Sequence, residues 1–355
     1  MRRARNPAVP ADHTPVRATL QTPADTSPAT DKEYTVNDRN PQVVGAGQRV
    51  APSAPAIPAW ADPKSRGVTT GIAKPLAPAQ RAVLTSQFSQ LMEAGVHGLC
   101  FSPYLEGQAP GAQVSEAQIR ARLQIIQPHT RWIRTFSCTD GHERTPRIAH
   151  ELGIKTLVGA WLGTDRAINE REISGVIEVA RAGHADIVAI GNEVLLREDM
   201  PEDELLGYIE QVKRALPHVQ VGYVDAYYLF EKHPRITAAC DVILTNCYPF
   251  WEGCPREHAI AYMQNMVRRT LAVAGGKRVI VSETGWPDQG SAFHGAQPSV
   301  DNAMQYFVDT AFWAQQDSVE VFYFAAFDEA WKVGAEGDVG AYWGLWDKDG
   351  VRKFT

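Results

Sequence analysis

Between residues 97 and 327, short apolar runs alternate with longer amphipathic ones, and this alternation constrains the fold more than any other feature of the chain. Eight runs read as strands: 97–102, 131–136, 155–161, 186–191, 220–225, 242–246, 278–282 and 319–327. Helical periodicity separates most of them, near 145–152, 170–182, 202–216, 256–274 and 299–315. A further helix opens at Ser115-Glu116-Ala117-Gln118, which reads as a capping box, with Ile119, Leu123 and Ile126 as its apolar face. Strands that alternate with helices pair in parallel through right-handed crossovers. Eight such units in about 265 residues predict an α/β fold of the (β/α)8 TIM-barrel type. A doubly wound open sheet is the other candidate. It is disfavoured because Tyr104-Leu105-Glu106-Gly107, after the first strand, is not a GxGxxG phosphate turn.

Two segments differ in composition. Residues 1–75 are rich in Pro, Ala, Thr, Asp and Arg and poor in aliphatic and aromatic side chains. Such a segment buries too little apolar surface to offset its ordering entropy, so a disordered tail is expected there. Residues 76–355 are expected to form the barrel. Only about 28 residues follow the eighth strand, with no clear final helix. A helix over 79–92, with Leu84, Phe88, Leu91 and Met92 on one face, is therefore expected to fill the outer-ring slot beside strands one and eight.

The bulk numbers exclude several function classes. Formal charge is −6 and no basic stripe is present, which argues against nucleic acid as a partner. No apolar stretch reaches the 18 or so residues of a membrane span. The polar, proline-broken residues after Met1-Arg2-Arg3-Ala4-Arg5 do not form the apolar core of a secretory signal. The five cysteines, Cys100, Cys138, Cys240, Cys247 and Cys254, are an odd number and not a disulfide framework. Cys247 and Cys254 flank one loop, and free thiols are the expectation for them. No CxxC or HxxxH spacing points to a zinc site, and no metal is expected.

Chemistry concentrates where strands end. The fourth and seventh strands finish on Gly191-Asn192-Glu193 and Ser282-Glu283-Thr284-Gly285-Trp286-Pro287. A carboxylate at the end of an apolar strand is costly unless it is paired, hydrated or used. Two of them on one rim are what glycoside hydrolysis requires. Barrel active sites lie at the C-terminal ends of the strands. The same rim then receives Tyr104, Arg134, Thr135, Asn192, Asn246, Tyr248, Asp328, Glu329 and Lys332. Arg134 on its apolar strand reads equally as a buried ion-pair partner and as a site residue. Tyr104 and Tyr248 read equally as rim packing and as site residues. Aromatics crowd these ends, and Trp251 and Trp286 are the favoured candidates for a sugar cleft.

These runs resemble glycoside hydrolase family 17, the β-1,3-glucanases. The matching stretches are Ile190-Gly191-Asn192-Glu193, Thr245-Asn246-Cys247-Tyr248-Pro249, Val281 to Pro287, Phe327-Asp328-Glu329-Ala330-Trp331-Lys332, and Trp343-Gly344-Leu345-Trp346. The resemblance implies a retaining double displacement on β-glucan, with Glu193 as general acid/base and Glu283 as nucleophile. It implies no cofactor. It also implies that Glu329 and Lys332 assist at the site and that Asn192 bonds a sugar hydroxyl. The first strand, Gly98-Leu99-Cys100-Phe101-Ser102-Pro103-Tyr104, departs from the plant pattern, and the loop from Cys247 to Glu257 is short. Both departures resemble the microbial branch, where some members transfer glucan to another sugar. Hydrolysis and transfer are both carried forward, with a silent glycan-binding barrel disfavoured because the carboxylates and the Glu329/Lys332 pair are intact. The substrate class implies work outside the cytoplasm.

Overall fold

The structure is a computed structural model that describes residues 75–333 and 336–355. The expected disordered tail over 1–75 lies almost wholly outside the described residues.

Eight parallel strands close on themselves in chain order, each hydrogen-bonded to the next and β8 to β1. They are β1 (Val96–Cys100), β2 (Thr130–Arg134), β3 (Lys155–Ala160), β4 (Ile187–Asn192), β5 (Gln220–Ala226), β6 (Val242–Asn246), β7 (Arg278–Thr284) and β8 (Val321–Tyr323). The long helices of the outer ring are α1 (Pro78–Ala94), α2 (Glu116–Ile126), α4 (Arg166–Arg181), α5 (Glu202–Ala215), α8 (Arg256–Val273) and α9 (Val300–Gln316). Short helices α3 (Thr145–Glu151), α6 (Leu229–Lys232) and α7 (Pro234–Ala239) complete it. The (β/α)8 barrel read from the sequence is the observed fold. β4 and β6 are buried along their whole length, the mark of strands covered on both faces.

Three local expectations are corrected. The eighth strand is three residues long, not nine. Beyond Tyr323 the chain turns to the returning segment: the Ala325 amide donates to the Trp343 carbonyl, and the Leu345 and Trp346 amides donate to Ala325 and Ala326. The fourth helix starts at Arg166 rather than 170, because Asp165 accepts from the amides of Ala167 and Ile168 and so caps it earlier. Ser115 caps α2 by accepting from the Gln118 amide, but the box is incomplete. The Gln118 side chain donates instead to the Pro103 carbonyl, which anchors the loop after β1.

α1 buries the four residues read from the sequence, Leu84, Phe88, Leu91 and Met92. Phe88 meets Phe307 of α9 and Phe354 edge-on, at 5.1 and 5.3 Å between ring centroids. At the other end, the Met92 carbonyl is hydrogen-bonded to His129 Nδ1 at 2.9 Å. This helix is thus held between α9 and Phe354 on one side and His129, just before β2, on the other.

Candidate active site

The backbone is built to deliver Glu193. β4 slips register against β5 between Ala189 and Asn192, a local bulge that re-aims the strand end. Gly191 there has φ 80°, and a Cβ on it would lie 2.8 Å from Val194. Glu193 itself is left-handed, with φ 51°. For a residue with a Cβ this costs about 1–2 kcal/mol. It persists where surrounding bonds over-determine the turn. One such tie is Arg197, which donates to the carbonyls of Asn192 at 2.6 Å and Leu162 at 3.1 Å.

Asn246, the last residue of β6, links the two glutamate-bearing strands. Its Nδ2 donates to Glu193 Oε1 at 2.8 Å, and its Oδ1 accepts from Ser282 Oγ, one residue before Glu283, at 2.8 Å. Glu283 is buried at 5% exposure. One carboxylate oxygen accepts from Arg134 Nη1 at 2.5 Å and the other from the Tyr248 hydroxyl at 2.7 Å. Arg134 spans further, donating from Nη2 to Asn192 Oδ1 at 2.7 Å. Six residues read from the sequence therefore form one constellation at the C-terminal ends of the strands. It is made of two hydrogen-bonded groups, one of Arg134, Asn192, Tyr248 and Glu283 and the other of Glu193 and Asn246. The groups meet along the chain at Asn192-Glu193 and Ser282-Glu283.

Burial and neighbouring charge shift three groups of the site, Glu193, Arg134 and Tyr248. Burial, followed by the charge of Glu283, raises Glu193 above the ordinary carboxylate range, while the Asn246 amide pulls it down. Burial is the largest influence on Arg134 and opposes its charge, but Glu283, Cys100 and Tyr248 together outweigh it and the guanidinium is held more firmly than usual. Burial and then Glu283 push Tyr248 far above an ordinary phenol, so it remains a donor.

Glu329 and Lys332 form a buried pair, 2.9 Å apart, with side chains 6% and 11% exposed. They are not the solvated surface pair that the spacing alone allows. Lys332 Nζ lies 4.0 Å above the Phe324 ring, and Phe324 in turn packs edge-on against Tyr248, which joins the pair to the constellation. A third carboxylate, Glu336, is 3.9 Å from Lys332. Burial pushes Glu336 up to about 7, against the pull of Lys332, and the charges of Glu329, Glu283 and Glu193 add to the rise.

The remaining expectations divide. Tyr104 is half-buried at the rim, its hydroxyl 3.0 Å from His142 Nε2 and its ring edge-on to Trp331. Trp251 is half-buried, tilted against Trp343 at 5.5 Å. Trp286 is not a cleft wall. It is 1% exposed, packs on Phe250 and Tyr306, and donates its indole N–H to the Gln297 carbonyl. The chain after Glu283 dives under α9, so sequence proximity to the nucleophile does not bring the ring to the cleft. Asn192 spends its side-chain oxygen on Arg134, so that atom orients the guanidinium. All five cysteines are free and buried, Cys247 and Cys254 included. Among the described residues no group of three or more His, Cys, Asp or Glu side chains is arranged to hold a metal ion, and no helix is long and apolar enough to cross a membrane.

Sequence reasoning passed over Ser282, Arg197, Glu336, Tyr223 and Asp225. Ser282 lay inside a run already singled out. Glu336 follows Lys332 at i+4, a spacing that pairs charges on one helical turn.

Residues 98–344 match the BtgE/BtgC glycoside hydrolase domain. The chain belongs to this family. It is therefore a glycosidase by descent. A glucan 1,3-β-glucosidase of Schizosaccharomyces pombe is 28% identical over 255 residues, covering 66% of this chain and 79% of that protein. A second relative, the glucan 1,3-β-glucosidase BGL2 of Candida albicans, is 27% identical over 259 residues, covering 66% and 84%. Among solved structures, the glycoside hydrolase family 17 β-1,3-glucanosyltransferase of Rhizomucor miehei superposes with a TM-score of 0.66 at 25% identity. It covers 74% of this chain and 96% of that one. The same match holds for its active-site mutant in complex with laminaritriose.

Proposed function

We propose that this chain is a retaining family 17 enzyme that breaks β-1,3-glucan linkages, with Glu193 as general acid/base and Glu283 as nucleophile. The observation that carries the reading is the asymmetry of the two carboxyls around Asn246. Glu193 has a raised proton affinity and one amide donor. Glu283 is ion-paired to Arg134 and hydrogen-bonded by Tyr248. The first arrangement suits a proton donor, and the second suits an anion held in place for attack.

The steps follow from those states. Glu193 gives its proton to the glycosidic oxygen while a Glu283 oxygen bonds to the anomeric carbon, and the leaving sugar departs as an alcohol. Glu193, now a carboxylate, takes a proton from the incoming hydroxyl, which displaces Glu283 from the anomeric carbon. Water as the incoming group gives hydrolysis, and a sugar hydroxyl gives transfer. Transfer is the second reading, and the Rhizomucor miehei glucanosyltransferase match favours it. Lys332, Glu329 and Asn192 act in binding and orienting the sugar, and Tyr104 and Trp251 line its approach. A β-glucan substrate favours a site of action outside the cytoplasm.

Incubation with laminari-oligosaccharides and chromatography of the products tests the reading. Shorter products alone mean hydrolysis, longer ones mean transfer, and no change of either kind defeats the assignment. Glu283→Gln is expected to abolish turnover, and retained activity refutes the nucleophile role.

A further inference from the structure

Three consecutive residues of β5 hold the turn that carries Glu193. The Glu193 amide donates to the Val224 carbonyl at 2.8 Å. The Leu195 amide donates to the Tyr223 hydroxyl at 2.9 Å. The Leu196 amide is bonded to the Asp225 carboxyl. The Tyr223 hydroxyl donates its own proton to Asp225 Oδ2, and Asp225 Oδ1 accepts from the Ala226 amide at 2.7 Å. Tyr223 and Asp225 are 1% and 0% exposed.

A buried phenol and carboxyl are a costly choice where Phe or Val would pack. The register slip of β4 explains the need. Beyond the slip the ladder still supplies the Val224 carbonyl to the Glu193 amide, but the Leu195 and Leu196 amides take side-chain acceptors instead, and amides withdrawn from water require acceptors. Tyr223 and Asp225 provide them with side chains. We propose that Tyr223 and Asp225 are positioning residues for Glu193, fixing its left-handed turn so that the carboxyl meets the glycosidic oxygen. The inference rests on Glu193 being the acid/base.

The test compares two substrates. A laminari-oligosaccharide needs a proton donor for its leaving sugar. An aryl β-laminaribioside with a nitrophenolate leaving group does not, and added azide replaces the base-activated water. Tyr223→Phe and Asp225→Asn are each expected to lower kcat on laminaripentaose about 10- to 100-fold, with KM within about twofold. With azide, both are expected to turn over the aryl substrate at the wild-type rate. Unchanged kcat on laminaripentaose, or an equal loss on both substrates, overturns the proposal. Glu193→Gln is run alongside. If azide fails to rescue it, the acid/base assignment falls and the positioning role falls with it. If azide rescues it and the β5 variants behave otherwise, only the positioning role falls. Hydrogen exchange on the unmodified protein needs no variant to fold. A peptide covering residues 193–199 is expected to keep two amides as slow as those of β4, and exchange of all of them at exposed-loop rates rejects the inference.

Discussion

Arg134 and Glu283 lie 149 positions apart in the chain and 2.5 Å apart in the barrel, with side chains 2% and 7% exposed. A pair so buried is stable only as a pair. Removing one partner leaves an uncompensated charge, which costs about 3–5 kcal/mol. Arg134→Met is expected to lose that much in denaturant unfolding, and to lose turnover because Glu283 and Asn192 lose their shared anchor. Replacing both partners, as Arg134→Met with Glu283→Gln, is expected to recover much of the stability and none of the activity. A single variant as stable as the wild type contradicts the pairing.

The pH dependence of turnover tests the acid. In the proposed acid role Glu193 must hold its proton, so activity is expected to fall as pH rises through its raised pKa, which lies above the ordinary carboxylate value of 4.5. The Asn246 amide favours the charged form. Asn246→Ala removes that donor, so the alkaline limb of kcat/KM is expected to move to higher pH. A shift to lower pH, or none, argues that the limb belongs to another group.

α1 closes the ring. Phe88 is fully buried between Phe307 and Phe354. Phe88→Ala is expected to destabilise the barrel by about 3–5 kcal/mol. Deleting residues 76–94 is expected to remove cooperative melting under native conditions. A deletion with an unchanged melting temperature refutes the role given to α1.

Stability also responds to acid through His97 at the opposite end of the barrel. Burial lowers His97 from 6.5 to about 4, with Arg131 and Arg278 lowering it further and Glu320 resisting. The unfolded chain therefore binds this proton more readily than the folded one. The contribution is complete above pH 6.5 and disappears as pH falls toward 4, amounting to about 3 kcal/mol. His97→Gln is expected to flatten the stability profile over that interval, as followed by urea titrations at several pH values.

The residues that were legible in the sequence are those whose role is written in their own strand. Glu193 and Glu283 interrupt buried apolar runs, and that contrast survives without any knowledge of their neighbours. Leu84, Phe88, Leu91 and Met92 share a face by periodicity alone. What stayed hidden depends on partners far away along the chain. Arg134 reads equally as an ion-pair partner and as a site residue because no pattern matches Glu283 to it, and the fold supplies that pair. Trp286 looked like a cleft residue because it follows Glu283 by three positions, while its burial is decided by Tyr306 and Gln297. Tyr223 and Asp225 looked like ordinary strand residues because the amides that need them belong to a register slip that no pattern announces.

The position of α1 has a consequence for how the molecule comes to exist. The Leu76 amide bonds Asp301, 225 positions away, and the Thr85 hydroxyl contacts Met304 at a separation of 219. During synthesis α1 must therefore wait, apolar face uncovered, until nearly the whole barrel has emerged. Closing so distant a contact comes late and slowly, and uncovered apolar surface in a waiting chain invites aggregation. The step that seals this enzyme is the meeting of its earliest described helix with one of its latest, so chaperone dependence in the cell is expected to track α1 rather than the strands that bear the two glutamates.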